Sequence, residues 1–239
     1  MSFIIERLKK VESIDQIFIC TSYDASDDIF TDIAEDHGVK IYRGSPKKVT
    51  ERMLAVADLT GAESLIRVTG DNIFASTEYL DQQVRALKAD KLDYIRMVNV
   101  PLGATAEVIR TKALKHCHEN MDPEISEYLM LFIFNPEIYK CGVMSFSNEL
   151  DYSNYTLTVD VDSDLTRTKH ILKSYDGDPL NINLSEIMKM IVDLNLENCI
   201  YQPSGDIKLP YGEVVPFSEF KEDMNLRISK ATRYTINEI

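Results

Sequence analysis

The chain has 239 residues, 44% of them apolar, and a formal charge of −13. Length and composition exclude a disordered chain and allow one core, or one core with a small appendage. The charge excludes nucleic acid, since "RLKK" at 7–10 and "PKK" at 46–48 are too short to form a basic stripe.

The elements alternate in the first half. Phe3, Ile4, Ile5, Leu8 and Val11 stand at helical spacing. "QIFICTS" then reads as a buried strand. "SDDIFTDIAEDHG" reads as a helix with Ser26 as cap, acids in its first turn and Gly38 at its end. "VKIY" is the second strand, and "SPKKVTERMLAVADLTG" the next helix, with Pro46 near its start and Gly61 past its end. "SLIRVT" is the third strand, "TEYLDQQVRALKAD" a helix and "LDYIRMVNV" the fourth strand. Near-continuous apolar strands separated by helices predict a parallel sheet covered on both faces.

The second half is less regular. "RTKALKHCHEN", "PEISEYLMLFIF" and "DLTRTKHILKSY" read as helices, and "KCGVMSF" and "YTLTVDV" as strands. A break at "DGDP" (176–179) divides the chain into a core, 1–178, and a helical extension and tail, 179–239. The extension opens with the helix "NLSEIMKMIVDLN", capped by Asn183 or Ser185, and its tail is expected to wrap the surface or meet a partner. The apolar "EYLMLFIF" points to burial against a second copy, hence a homodimer, or to packing on its own sheet.

Cys20, Cys117, Cys141 and Cys199 are scattered and form no Cys-x-x-Cys pair, which fits a reducing cytoplasm. A zinc site at His116, Cys117 and His118 lacks further ligands at the usual spacing. No run of about 18 apolar residues offers a membrane span. "MSFIIERLKK" is not a signal peptide, because a glutamate interrupts its few apolar residues.

The third strand stops at Thr69-Gly70-Asp71. Ligands of open parallel sheets bind beyond the carboxyl ends of the strands. Gly70 allows close backbone approach, and Asp71 either holds a hard cation such as Mg²⁺ or caps the turn. "LTVDVDSDLTRT" places Asp160, Asp162 and Asp164 at alternate positions after an apolar run. Asp162 or Ser163 can cap the following helix, and Asp164 sits in its first turn. Asp160 is harder to explain as a cap and is the better second metal ligand.

With these places identified, "IDQIFICTSYDASDD", "GVKIYRGSPKKVTERM", "IRVTGDNIF", "PLGATAEVIRTKAL" and "LTVDVDSDLTRTKHIL" resemble, in order, the cytidylyltransferases that activate acidic sugars as CMP derivatives. The nearest resemblance is to the spore coat polysaccharide biosynthesis protein F group, with CMP-sialic acid and CMP-KDO synthetases more distant. The resemblance implies a glycosyltransferase-A-like α/β fold, a mostly parallel sheet flanked by helices with a small C-terminal extension. It implies CTP and an acidic sugar as substrates and Mg²⁺ on Asp71 and Asp160. It also implies nucleotide contacts at Arg43, Arg67 and Gly70 and a sugar pocket bordered by Gly103 and Glu107. Arg67, inside an apolar strand, needs a carboxylate or phosphate partner in any case.

The sequence departs from that family at its start. The family opens with a strand and a glycine-rich basic loop of the form Arg-x-x-Ser-x-Arg-Leu-Pro-Gly-Lys. No such stretch is present, and roughly 30 to 45 residues, about one βα unit, are unmatched. A missing central strand is expected to leave two unpaired edges or to force a rearranged sheet. Loss of the loop removes donors that offset triphosphate charge, so a non-catalytic sugar- or nucleotide-binding homologue, or an assembly subunit, is the alternative.

Overall fold

A computed structural model describes residues 1–147, 151–196, 198–201 and 205–236. Helix α1 (Ser2–Leu8) leads into strand β1 (Phe18–Ser22), helix α2 (Ile29–Asp36) and strand β2 (Lys40–Gly44). Helix α3 (Val49–Thr60) ends at Gly61, whose φ of +68° suits a residue without Cβ. Strand β3 (Ser64–Arg67), helix α4 (Leu80–Ala89) and strand β4 (Tyr94–Met97) follow. On α4, Leu80, Val84 and Leu87 form the buried stripe that helical spacing predicts.

Strand β5 (Glu107–Arg110) and helix α5 (Thr111–Asn120) come next, then helix α6 (Leu129–Ile133) and strand β6 (Cys141–Phe146). Helices α7 (Asp162–Ser174) and α8 (Leu184–Asp193) precede a short hairpin, β7 (Asp206–Lys208) and β8 (Val214–Pro216). Helix α9 (Phe217–Lys230) and strand β9 (Thr232–Ile236) close the described chain.

Among the described residues the main sheet has five strands in the order β3-β5-β4-β6-β9. β4, β6 and β9 run parallel, and β5 is antiparallel to both β3 and β4. The sequence reading passes over β5. The segment 98–106 between β4 and β5 is too short for a crossover helix, so the chain returns antiparallel. It also takes "YTLTVDV" for a sheet strand. That segment makes only isolated bridges, Thr156 to Leu102 and Tyr155 to Ile200. The edge of β6 away from β4 is occupied by β9, a strand from the tail. "EYLMLFIF" packs inward: Leu129, Ile133 and Phe134 are buried in the chain's own core.

β1 and β2 pair in parallel with each other and stand apart as a two-stranded sheet. Between β1 and β3 lies a slot of about 670 Å³. Ile4 and Ile5 of α1 and Met53 and Val56 of α3 line it, together with both strands. The slot is open to solvent.

Candidate functional site

The site is built where β3 ends. Asn72 N–H donates to Thr69 O at 3.1 Å and closes the turn carrying Gly70 and Asp71. Oδ1 of Asp71 is buried and has no hydrogen-bond partner among the described residues. A buried carboxylate oxygen without a partner is costly unless a ligand or cation satisfies it. Val159 N–H donates to Asp71 O at 3.1 Å, which brings the late acidic segment against the turn.

The three alternating acids then separate by role. Asp164 reaches back to the N–H groups of Asp160 and Val161 at 3.1 and 3.2 Å and pairs with Arg167 at 3.2 Å. It serves the start of α7. Asp162 is the exposed first residue of that helix. Asp160 is exposed, stands next to Val159, and takes one hydrogen bond on Oδ2 from the Thr158 hydroxyl at 2.8 Å. The sequence reading misses Arg167, which is 4% exposed and donates to the carbonyls of Thr158 and Asn198. Its signal was available: an arginine beside Thr168 and Ile171 on the buried stripe of α7.

Gly103 has φ +87°, and a Cβ there would lie 2.7 Å from Thr158 N. It lets the 101–104 loop close on the segment that leads to Asp160, with Leu157 N–H bonded to Leu102 O at 2.7 Å. Gly70 carries no positive φ; a Cβ there would meet the Met1 side chain at 3.2 Å.

Arg67 and Glu107 are register partners on β3 and β5 and form an ion pair. The other oxygen of Glu107 accepts from the Tyr94 hydroxyl at 2.6 Å. Glu107 is 6% exposed. Burial alone would raise its pKa, but Arg67, then Arg96 and the Tyr94 hydroxyl, outweigh it and hold the carboxyl below its ordinary value. Burial, reinforced by Glu107, drives the Tyr94 phenol well above its ordinary value. The buried arginine thus finds the carboxylate partner it requires. Both oxygens of Glu107 are engaged within the sheet, so it orients Arg67.

Arg43 ends β2, one residue before Gly44. Its Nε donates to Ser22 O at 2.8 Å, and its Nη2 donates to Asp28 at 2.7 Å and to Asp24 O at 3.3 Å. It holds the 22–28 loop across the slot from β3. Asp27 holds the same loop by accepting from Ser22 and Thr21, which lowers its pKa to about 2. The structure therefore brings Asp71, Asp160 and Gly103 together, joins Arg67 to Glu107 in the adjacent wall, and leaves Arg43 on the far side of the slot.

Two carboxylates, one with an unsatisfied buried oxygen, fit Mg²⁺, which takes one or two acids and completes its shell with water and phosphate. Among the described residues no three His, Cys, Asp or Glu side chains gather as a metal cluster. The zinc reading dissolves: His116 bonds Tyr139 and His118 bonds Thr50.

A mixed sheet flanked by helices, with Asp71 just beyond the carboxyl end of β3, defines an α/β protein whose ligand crevice lies at that end. Residues 1–203 match the family described as cytidylyltransferase, and the chain belongs to that family. It is 27% identical over 193 residues to an uncharacterised protein of Methanocaldococcus jannaschii, covering 80% of this chain and 79% of that one. It is 27% identical over 180 residues to the spore coat polysaccharide biosynthesis protein SpsF of Bacillus subtilis, covering 74% and 75%. In fold it is similar to a cytidylyltransferase of Leptospira borgpetersenii serovar Hardjo-bovis, with TM-score 0.73, 22% identity and coverage of 81% and 83%. It is also similar to a CMP:2-keto-3-deoxy-manno-octonic acid synthetase complexed with CTP, with TM-score 0.53, 13% identity and coverage of 72% and 86%.

Proposed function

We propose that the chain binds CTP at the carboxyl end of β3 and transfers CMP to an acidic sugar for surface polysaccharide synthesis in the cytoplasm. The observation that carries this reading is the unpartnered Oδ1 of Asp71 beside the Asp160 segment. Asp71 and Asp160 would hold Mg²⁺, which would supply charge to screen and orient the phosphates. Gly70 keeps the turn narrow so that the backbone approaches the nucleotide. Arg67, oriented by Glu107, and Arg43, at the other side of the slot, supply positive charge to an otherwise acidic crevice. Gly103 sets the sugar side by holding its loop against Thr158. A sugar hydroxyl attacks the α-phosphorus of CTP, and pyrophosphate leaves. A homodimer belongs to the same proposal and is checked by sedimentation equilibrium.

Titration calorimetry of CTP into the chain, with and without Mg²⁺ and beside Asp71→Ala, tests the reading. Mg²⁺-dependent binding that the substitution abolishes supports it. A folded chain that ignores CTP sinks it. One observation favours a second reading, a binding homologue without catalysis. The Nε and Nη2 of Arg43 are already spent on Ser22, Asp24 and Asp28. CTP binding with no pyrophosphate release across a panel of acidic sugars would select that reading.

A further inference from the structure

Asp160 is an exposed acid on a segment that makes no regular strand, yet the residues leading to it are fastened one after another. Thr158 O accepts from Nη2 of Arg167. Val159 N–H donates to Asp71 O at 3.1 Å. Asp160 N–H donates to Asp164 Oδ2 at 3.1 Å. Arg167 is the hub of this arrangement, because its Nη1 also reaches Asp164 Oδ1 and the Asn198 carbonyl. A guanidinium 4% exposed is held rigidly by its acceptors, and it passes that rigidity to Thr158.

The side chain of Asp160 is held by one group. The Thr158 hydroxyl donates to Oδ2 at 2.8 Å, leaving Oδ1 without a partner among the described residues. A carboxylate only accepts, and a threonine hydroxyl has a single proton. The contact of 3.1 Å between the Thr156 and Thr158 hydroxyls therefore runs from Thr156 to Thr158. The two bonds form a directed chain, Thr156 to Thr158 to Asp160, in which each bond polarises the next.

Thr158 is itself boxed in. It is 9% exposed. The backbone of Gly103 packs so close that a Cβ there would lie 2.8 Å from Thr158 Cγ2. A β-branched side chain is stiff at χ1, so fixing the methyl also fixes the hydroxyl. Valine would fill the same space, so packing alone does not call for the hydroxyl.

We propose that Thr158 is a positioning residue for Asp160. Its hydroxyl holds Oδ2 and leaves Oδ1 to a divalent cation, and Arg167 anchors Thr158 through its carbonyl. This rests on the metal role proposed above for Asp160. Hydrogen-bonded partners of this kind set both the orientation of a ligating carboxylate and the affinity of its site.

The full chain is compared with Thr158→Val, Thr158→Ser, Arg167→Lys and Asp160→Asn, each confirmed folded by circular dichroism. The first readout needs no metal: three-bond couplings to the Asp160 Cγ report its χ1. Wild type and Thr158→Ser are expected to show a single rotamer, and Thr158→Val an average. The second readout is binding of Mn²⁺ alone, followed by electron paramagnetic resonance. Thr158→Val is expected to weaken it about tenfold or more, and Thr158→Ser to stay within about threefold of wild type. A purely structural threonine would give the opposite ranking, since valine keeps the shape that serine loses.

An unchanged rotamer and unchanged Mn²⁺ affinity in Thr158→Val overturn the proposal, as does failure of serine to restore them. Wild-type affinity in Arg167→Lys removes Arg167 from it. If Asp160→Asn abolishes Mn²⁺ binding and Thr158→Val does not change it, the metal site stands and the positioning role alone is lost. If wild type binds no Mn²⁺, or Asp160→Asn binds it unchanged, the metal role of Asp160 falls first and takes this inference with it.

Discussion

The five-stranded sheet and the β1–β2 pair are made from similar material, short apolar strands packed against helices, yet they are held very differently. In the sheet, β5, β4 and β6 are each paired along both edges. Around it, one apolar cluster runs from Ile4 to Ile236 and a second gathers on the α5–α6 side. In the two-stranded pair, β1 is paired, among the described residues, along its β2 edge alone, and the buried residues of its cluster are Ile5, Ile19 and Ala34. The difference teaches that a strand's stability depends on the neighbour it is given as much as on its own residues. A strand with one unpaired edge cannot bury both its peptide groups and its side chains.

The most forceful way to break the sheet is to remove the charge at its centre. Glu107→Ala strands Arg67 beside a buried wall and is expected to cost about 3–5 kcal/mol in denaturant unfolding. Next, Ile95→Ala in β4, at 0% exposure, is expected to cost about 2–5 kcal/mol. Ile19→Ala in β1 should cost less than half of that, because it borders the slot and water can enter. Equal losses at the two positions would contradict the comparison. Gly103→Ala forces a side chain into a left-handed backbone position against Thr158 and is expected to cost about 1–3 kcal/mol. It should also weaken any ligand binding that depends on Asp160.

Acid should separate the two regions most gently. The folded pKa of Asp27 lies near 2, below its unfolded value of about 3.9. Its contribution is thus present above about pH 4 and is lost as pH falls through the folded value. The first sign is expected at the β1 end: amide exchange at Ser22 rises between about pH 4 and 2, and Asp27→Asn shows the same rise at neutral pH. β4 amides should hold through the upper part of that range. Simultaneous loss in both regions would mean that acid acts on the whole fold.

Much of this was legible in the sequence. The helical stripe of α4, the glycine closing α3 and the mostly apolar run of β4 follow from period and composition, because local geometry fixes which residues must be buried. The acid turn at Asp71 was visible from its place after an apolar strand. The resemblance pointed to the family, and the match over residues 1–203 bears it out.

What the sequence left open was which side chains meet. Arg67 announced a need for a partner, but only the antiparallel register of β5 chose Glu107 over a phosphate. The sequence put Asp164 in the first turn of α7, but only the structure showed that it reaches back to the Asp160 and Val161 N–H groups and pairs with Arg167. β9 read as tail, yet β6 had an edge to fill. In each case local sequence set the need for a partner or for burial. The tertiary structure decided how it was met, because charges and strand edges are satisfied by residues distant in the chain.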